Sequence, residues 1–159
     1  MNETLKTTRT FGEKVWNLKP TKTFKKLIIA EDFSYLATCP KKNVGVYIED
    51  KYGKSVSSGY NGAPAGFDHC SLVSCKEIND HCTNAVHAEI NGILNGDTSR
   101  MRDGTMYLYG AFPCYRCAQA IVTVKIKTLY HGTLSDKMNE DQKRGLEILL
   151  QGKVKIRTT

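Results

Sequence analysis

"TMYLYGAFPCYRCAQAIVTVKIKTLYHG", residues 105–132, reads as strand, helix, strand. TMYLYG is the first strand, CYRCAQAIVTVK the helix and TLYHG a second, short strand. Downstream, EDQKRGLEILLQ (140–151) is a helix stopped by Gly152, and KVKIR (153–157) is a last strand. Upstream, NAVHAEINGIL carries a helix over 85–95 with Gly96 as its stop. Farther back, NVGVYIED (43–50) is a strand, and KSVSSGY (54–60) is its hairpin partner across a KYG turn. Residues 21–37 carry Phe24, Leu27, Ile28, Phe33 and Leu36 at helical spacing. After the first hairpin, strands alternate with helices. That order predicts an α/β protein of three layers, α/β/α, with helices on both faces of one sheet. Residues 61–84 are rich in Gly, Cys, Asp and Asn and have no period. So long a loop is functional or is held by something other than a core. Residues 1–20 are polar and irregular and read as an N-terminal extension to a single domain over 21–159.

The 159 residues are 40% hydrophobic and 25% charged, ordinary for a soluble globular chain large enough to bury a core. No apolar run is long enough to span a bilayer, and the N-terminus has no apolar segment of the secretory kind. A cytoplasmic protein with no membrane partner is expected. The net charge is +7 and the pI near 9.1, which suits an anionic partner. No block of consecutive Lys or Arg exceeds two residues, so a nucleic-acid arm is not expected and a small anionic ligand is favoured.

Six cysteines stand at 39, 70, 75, 82, 114 and 117. In a reducing compartment such a set is read first as metal ligation or catalysis. Cys114 and Cys117 are three apart, share one face of a helix and sit in its first turn, where the dipole favours thiolate. A lone His at a helix start is usually a cap, but His87 would complete a site of one imidazole and two thiolates. Around Zn²⁺ this is a three-ligand set with the fourth position open, the form of catalytic sites. Glu89, two residues from His87, does not share its helix face and is poorly placed as a further ligand. It is placed to move a proton instead. H-x-E followed by P-C-x-x-C is the signature of zinc nucleobase deaminases, with the Glu as general acid/base. In that chemistry water attacks C4 of cytosine or C6 of adenine. Glu89 takes the water proton, delivers it to the ring nitrogen and then protonates the leaving ammonia.

TCPKKNVGVYIED, SSGYNGAPAGFDHC, VHAEINGIL and FPCYRCAQAI resemble the successive motifs of the deoxycytidylate (dCMP) deaminases over about residues 24–135. The Gly-Tyr-Asn-Gly stretch is the most specific of them. The resemblance implies a cytidine-deaminase-like fold with a central five-stranded mixed sheet, assembled as a hexamer. It implies hydrolysis of dCMP to dUMP and ammonia, feeding dTMP synthesis, with dCTP as activator and dTTP as inhibitor. His87, Cys114 and Cys117 match the zinc ligands, and Glu89 the proton carrier. Asn61 matches the residue that holds the deoxyribose. The Ala88 N–H would meet the cytosine O2, and Lys42 would stand near the phosphate. Tyr60, Asn61 and Gly62 match the loop implicated in nucleotide regulation. The short C-terminus and Cys-rich loop look like those of a phage member, which would place it in a host cytoplasm.

The four remaining cysteines, Cys39, Cys70, Cys75 and Cys82, make up the number that a closed tetrahedral zinc site needs. Three of them lie in the aperiodic loop, and some phage-type relatives carry a structural zinc in this region. His69 or His81 could replace one thiolate. The alternatives are a tRNA adenosine deaminase, which shares His-Ala-Glu and Pro-Cys-x-x-Cys but lacks the Gly-Tyr-Asn-Gly stretch, another nucleobase deaminase, or a non-enzymatic zinc- or nucleotide-binding module. A pure binding module has no need of Glu89.

Overall fold

The computed structural model describes residues 21–70, 73, 75–78, 81–132 and 137–158, with His81 as backbone alone. The expected extension over 1–20 lies outside them. Helix α1 (Lys22–Ser34) starts at Thr21, whose hydroxyl accepts the Phe24 N–H at 3.2 Å. Strands β1 (Gly45–Glu49) and β2 (Ser55–Tyr60) form the expected hairpin, with a register shift between Ile48 and Glu49. A two-residue ladder follows, β3 (Glu77–Ile78) against β4 (His81–Cys82). The remaining order is α2 (Ala88–Leu94), α3 (Thr98–Met101), β5 (Thr105–Tyr109), α4 (Tyr115–Thr123), β6 (Thr128–His131), α5 (Glu140–Gln151) and β7 (Lys155–Thr158).

Five strands make one sheet in the order β2-β1-β5-β6-β7. The β1 pairings are antiparallel, and β5-β6 and β6-β7 are parallel, so the sheet is mixed. Side chains alternate between its faces. Val46, Ile48, Met106, Leu108 and Leu129 pack with Ala88, Ile93, Ala118, Ile121 and Leu149 in the main core, under α2, α4 and α5. Tyr47, Tyr107 and Tyr130 point the other way and meet Leu27 and Ala30 of α1. On that face the buried Glu49 carboxylate pairs with the Lys26 ammonium and accepts the Tyr107 hydroxyl at 3.4 Å. The α/β/α layering follows the sequence reading.

Two glycines bring α2 unusually close to the sheet. A Cβ on Gly59 would lie 2.4 Å from the Gly92 backbone N, and one on Gly92 would lie 2.4 Å from Val46 Cγ2. That contact seats α2 on β2 and β1.

The structure differs from the sequence reading in three places. The 61–84 loop contains the β3–β4 ladder. Helix α2 begins at Ala88 instead of residue 85, because Val86 exchanges N–H···O bonds of 2.9 and 3.1 Å with Gly62. Helix α3, capped by the Asp97 carboxylate on the Ser99 N–H at 2.9 Å, was not anticipated, since four residues show no period. Among the described residues, no helix is long and apolar enough to cross a membrane.

Candidate active site

His87 is the N-cap residue of α2, but its side chain makes no capping bond. The imidazole turns instead toward the first turn of α4, where Cys114 is the N-cap and Cys117 lies three residues on. His87 Nδ1 stands 3.6 Å from Cys114 Sγ and 3.3 Å from Cys117 Sγ, and the three ligand atoms lie within 4.8 Å of one another. Ordinary zinc bond lengths in a tetrahedron separate N from S by about 3.6 Å. The donor set therefore fits a zinc ion.

The electrostatics suit the same ion. Hydrogen bonding to Cys117 holds the Cys114 thiol down to about 3, against the opposing cost of burial, with His87 assisting. Cys117 moves the other way, raised by its bond to Cys114 and by burial. A bound cation would take both sulfurs as thiolates, with release of their protons. His87 is raised, chiefly by its bond to Cys114.

Glu89 lies in the first turn of α2, 3% exposed, and its carboxyl interacts with the Cys117 thiol. Burial raises its pKa above the ordinary carboxylate value, a shift that suits a group which both takes and gives protons. His87, Glu89, Ala88 and Cys114 line a cleft of about 200 Å³. Lys41, Lys42 and Asn61 also line it, as do Asn139, Asp141 and Gln142 from the start of α5.

Asn61 reaches the cleft with its amide largely engaged. Oδ1 accepts the Val44 N–H at 2.8 Å, and Nδ2 donates to the Lys42 carbonyl at 2.8 Å. One N–H and one lone pair remain for a ligand. Gly62 is tied to Val86, and the Tyr60 carbonyl accepts from Asn91 Nδ2 at 2.8 Å, so neither residue lines the cleft.

The remaining cysteines divide. Cys70, Cys75 and Cys82 have sulfurs within 4.8 Å of one another, with Cys70 and Cys82 3.8 Å apart, and all are free thiols. About 3.8 Å is the sulfur–sulfur edge of a tetrahedral zinc–thiolate site. Burial and its thiol neighbours push Cys70 up to about 11, whereas Cys82 is lowered against its own burial by backbone bonds from Asn84 and by Cys70. The structure does not bring Cys39 into this group. It lines the active-site cleft instead, on the segment that leads into β1. His69 is likewise outside the group.

The sequence reading missed Lys41, Glu77 and the start of α5 as parts of the site. Gln142 forms a capping box with Asn139 and donates to the Phe112 carbonyl at 3.2 Å, fastening α5 beside the Cys114 turn. The Asn-x-x-Gln spacing at 139–142 could have signalled the cap. Glu77 also lines the cleft, and nothing in the aperiodic loop signals it.

The sequence model of the cytidine and deoxycytidylate deaminase zinc-binding region matches residues 20–133. The chain belongs to this family. ComE operon protein 2 of Bacillus subtilis is 38% identical over 97 residues, which are 60% of this chain and 50% of that protein. The deoxycytidylate deaminase of Mycobacterium phage D29 is 30% identical over 115 residues, 65% of this chain and 88% of that one. The chain spans about half the length of the Bacillus relative and of a Caenorhabditis elegans probable deoxycytidylate deaminase. In structure, the deaminase family member from cyanophage S-TIM5, solved with dCMP and dUMP, aligns with a TM-score of 0.68. It is 23% identical and covers 89% of this chain and 99% of that one. That likeness establishes the deaminase fold, including the five-stranded mixed sheet.

Proposed function

We propose that this chain hydrolyses dCMP to dUMP and ammonia. The observation that carries the reading is Glu89: a buried carboxyl with a raised pKa beside a zinc-fitting His87–Cys114–Cys117 set. A zinc ion held there would supply Lewis acidity, lowering the pKa of water at the open fourth position to about 7. Glu89 takes one proton from water and passes it to the cytosine N3, then takes the second from the new C4 hydroxyl and gives it to the departing amine. Water contributes the new carbonyl oxygen at C4, and the C4–N bond breaks. The Ala88 N–H, at the start of α2, is the candidate donor to the cytosine O2. Lys42 is the candidate partner of the phosphate, since charge-assisted bonds to phosphate are the strong kind. Asn61, with its remaining N–H and lone pair, is the candidate contact to the deoxyribose.

Membership of the family and its dCMP-named relatives support this choice of substrate. Activation by dCTP and inhibition by dTTP through the Tyr60–Gly62 loop, assembly as a hexamer and supply of dUMP for dTMP synthesis belong to the same reading. A second, structural zinc on Cys70, Cys75 and Cys82 belongs to it too, with the fourth ligand drawn from outside that trio.

Ammonia release is measured with dCMP, deoxycytidine, cytosine and adenosine in RNA. Turnover of dCMP well above all others is expected. Preferred turnover of RNA adenosine would overturn the reading in favour of a tRNA deaminase, and no turnover of any would favour a binding module.

A further inference from the structure

We propose that Glu77 is a specificity-determining residue that limits how many phosphates the cleft accepts, an inference resting on the dCMP reading above. Glu77 lies on β3, and its carboxylate is ion-paired with the Lys41 ammonium. Both residues line the cleft that holds His87 and Glu89. Lys42, next in sequence and also in the cleft, makes no ion pair among the described residues, and its charge is felt at His87. The two adjacent lysines therefore differ. One cation is available to a ligand, and the other is neutralised by a carboxylate carried on the β3–β4 ladder.

Lys42 can supply a charge-assisted bond to one phosphate group. Each additional phosphate brings more negative charge to the rim, where it meets the Glu77 carboxylate or must displace it from Lys41. The pair is partly open to water, with side chains 56% and 32% exposed, so it adds little to folding. Its effect is discrimination, by a repulsive group set against the wrong ligand. The Glu77 backbone is fixed opposite Cys82, which lines the same cleft, so the carboxylate is held at the wall of the site.

The test compares kcat/KM for dCDP with that for dCMP in the zinc-loaded protein. The wild type is expected to prefer dCMP. Glu77→Gln should raise the dCDP:dCMP ratio about fivefold, the size of one partly screened rim charge. Glu77→Asp, which keeps the charge, should keep the wild-type ratio. Lys41→Met, which exposes the carboxylate, should lower the ratio below wild type. These differences should shrink in about 0.5 M salt, where exposed charges are screened. A Glu77→Gln ratio equal to the wild-type ratio overturns the proposal, even if both nucleotides react more slowly, because a merely loosened hairpin would act on both alike. Equal use of dCDP and dCMP by the wild type also overturns it. Failure of the wild type to deaminate dCMP is a separate result and overturns the dCMP reading itself.

Discussion

A carboxyl group with only 3% of its surface exposed must either stay neutral or be compensated, and Glu89 has its pKa raised by that burial. A general acid/base of this kind contributes about 10²–10⁴-fold to rate. On the proposed role, Glu89→Gln is expected to lose deamination by about that factor while keeping zinc on His87, Cys114 and Cys117. Parallel metal analysis and dCMP turnover check it; near-normal turnover would remove Glu89 from the chemistry. His131 gives a second prediction at this scale. Its ring is 7% exposed, packs edge-on against Phe112, and its Nδ1–H donates to the Gly132 carbonyl at 2.8 Å. Burial lowers its pKa below the ordinary value of 6.5. A depressed folded-state pKa means that the neutral ring supports the fold. That contribution is full above the unfolded value and is lost as pH falls through the folded one. Stability of the wild type should thus drop on acidification below about pH 6.5, and His131→Asn should flatten that part of the profile. Urea midpoints for the two proteins across pH 5–8 measure this; parallel profiles would refute it.

Between elements, the α2–β2 contact leaves no room for a side chain at Gly59, where a Cβ would press on the α2 backbone at Gly92 N and Ala88 O. Backbone cannot rotate away as a side chain can. Gly59→Ala should therefore cost about 1–3 kcal/mol, the range of overpacking, and displace the His87–Ala88 turn. Denaturant unfolding and dCMP turnover should fall together, whereas loss of neither would show that α2 shifts freely. Apart from the four-residue α3, which shows no period, the strands and helices after residue 84 were legible because each is long enough to show a period or bounded by a stop such as Gly96 or Gly152. The clustering of His87, Cys114 and Cys117 was legible because they sit at helix starts with diagnostic spacing. The β3–β4 ladder was not, since two-residue strands carry no alternation. Nor was the late start of α2, which depends on a bond from Val86 to the distant Gly62. Counting cysteines grouped Cys39 with the loop thiols, but proximity in sequence to the hairpin did not bring it among them.

Across the whole molecule, the two thiol groups differ in what they hold together. The His87–Cys114–Cys117 set joins the first turns of α2 and α4, both packed in the main core through Ala88, Ile93, Ala118 and Ile121. The Cys70–Cys75–Cys82 set, in the proposed second site, would fasten a loop whose ladder residues Glu77 and Ile78 are exposed, Ile78 at 66%. A ligand that binds only the folded state stabilises it by about 4 kcal/mol at a thousandfold excess over Kd. That linkage acts on global unfolding only where the site is lost with the core. Stripping zinc from the core site should therefore lower Tm strongly. Losing the loop metal should mainly open the loop, because its exposed ladder can come apart while the core stays folded. Native mass spectrometry of fully loaded protein should find two zinc ions per chain in the wild type and one in each of His87→Ala and Cys75→Ser. Thermal scans should show the larger fall for His87→Ala. Limited proteolysis between Cys70 and Cys82 should accelerate only in Cys75→Ser. One zinc in the wild type would refute the loop site, and an equal fall in Tm for both variants would show that the loop unfolds with the core.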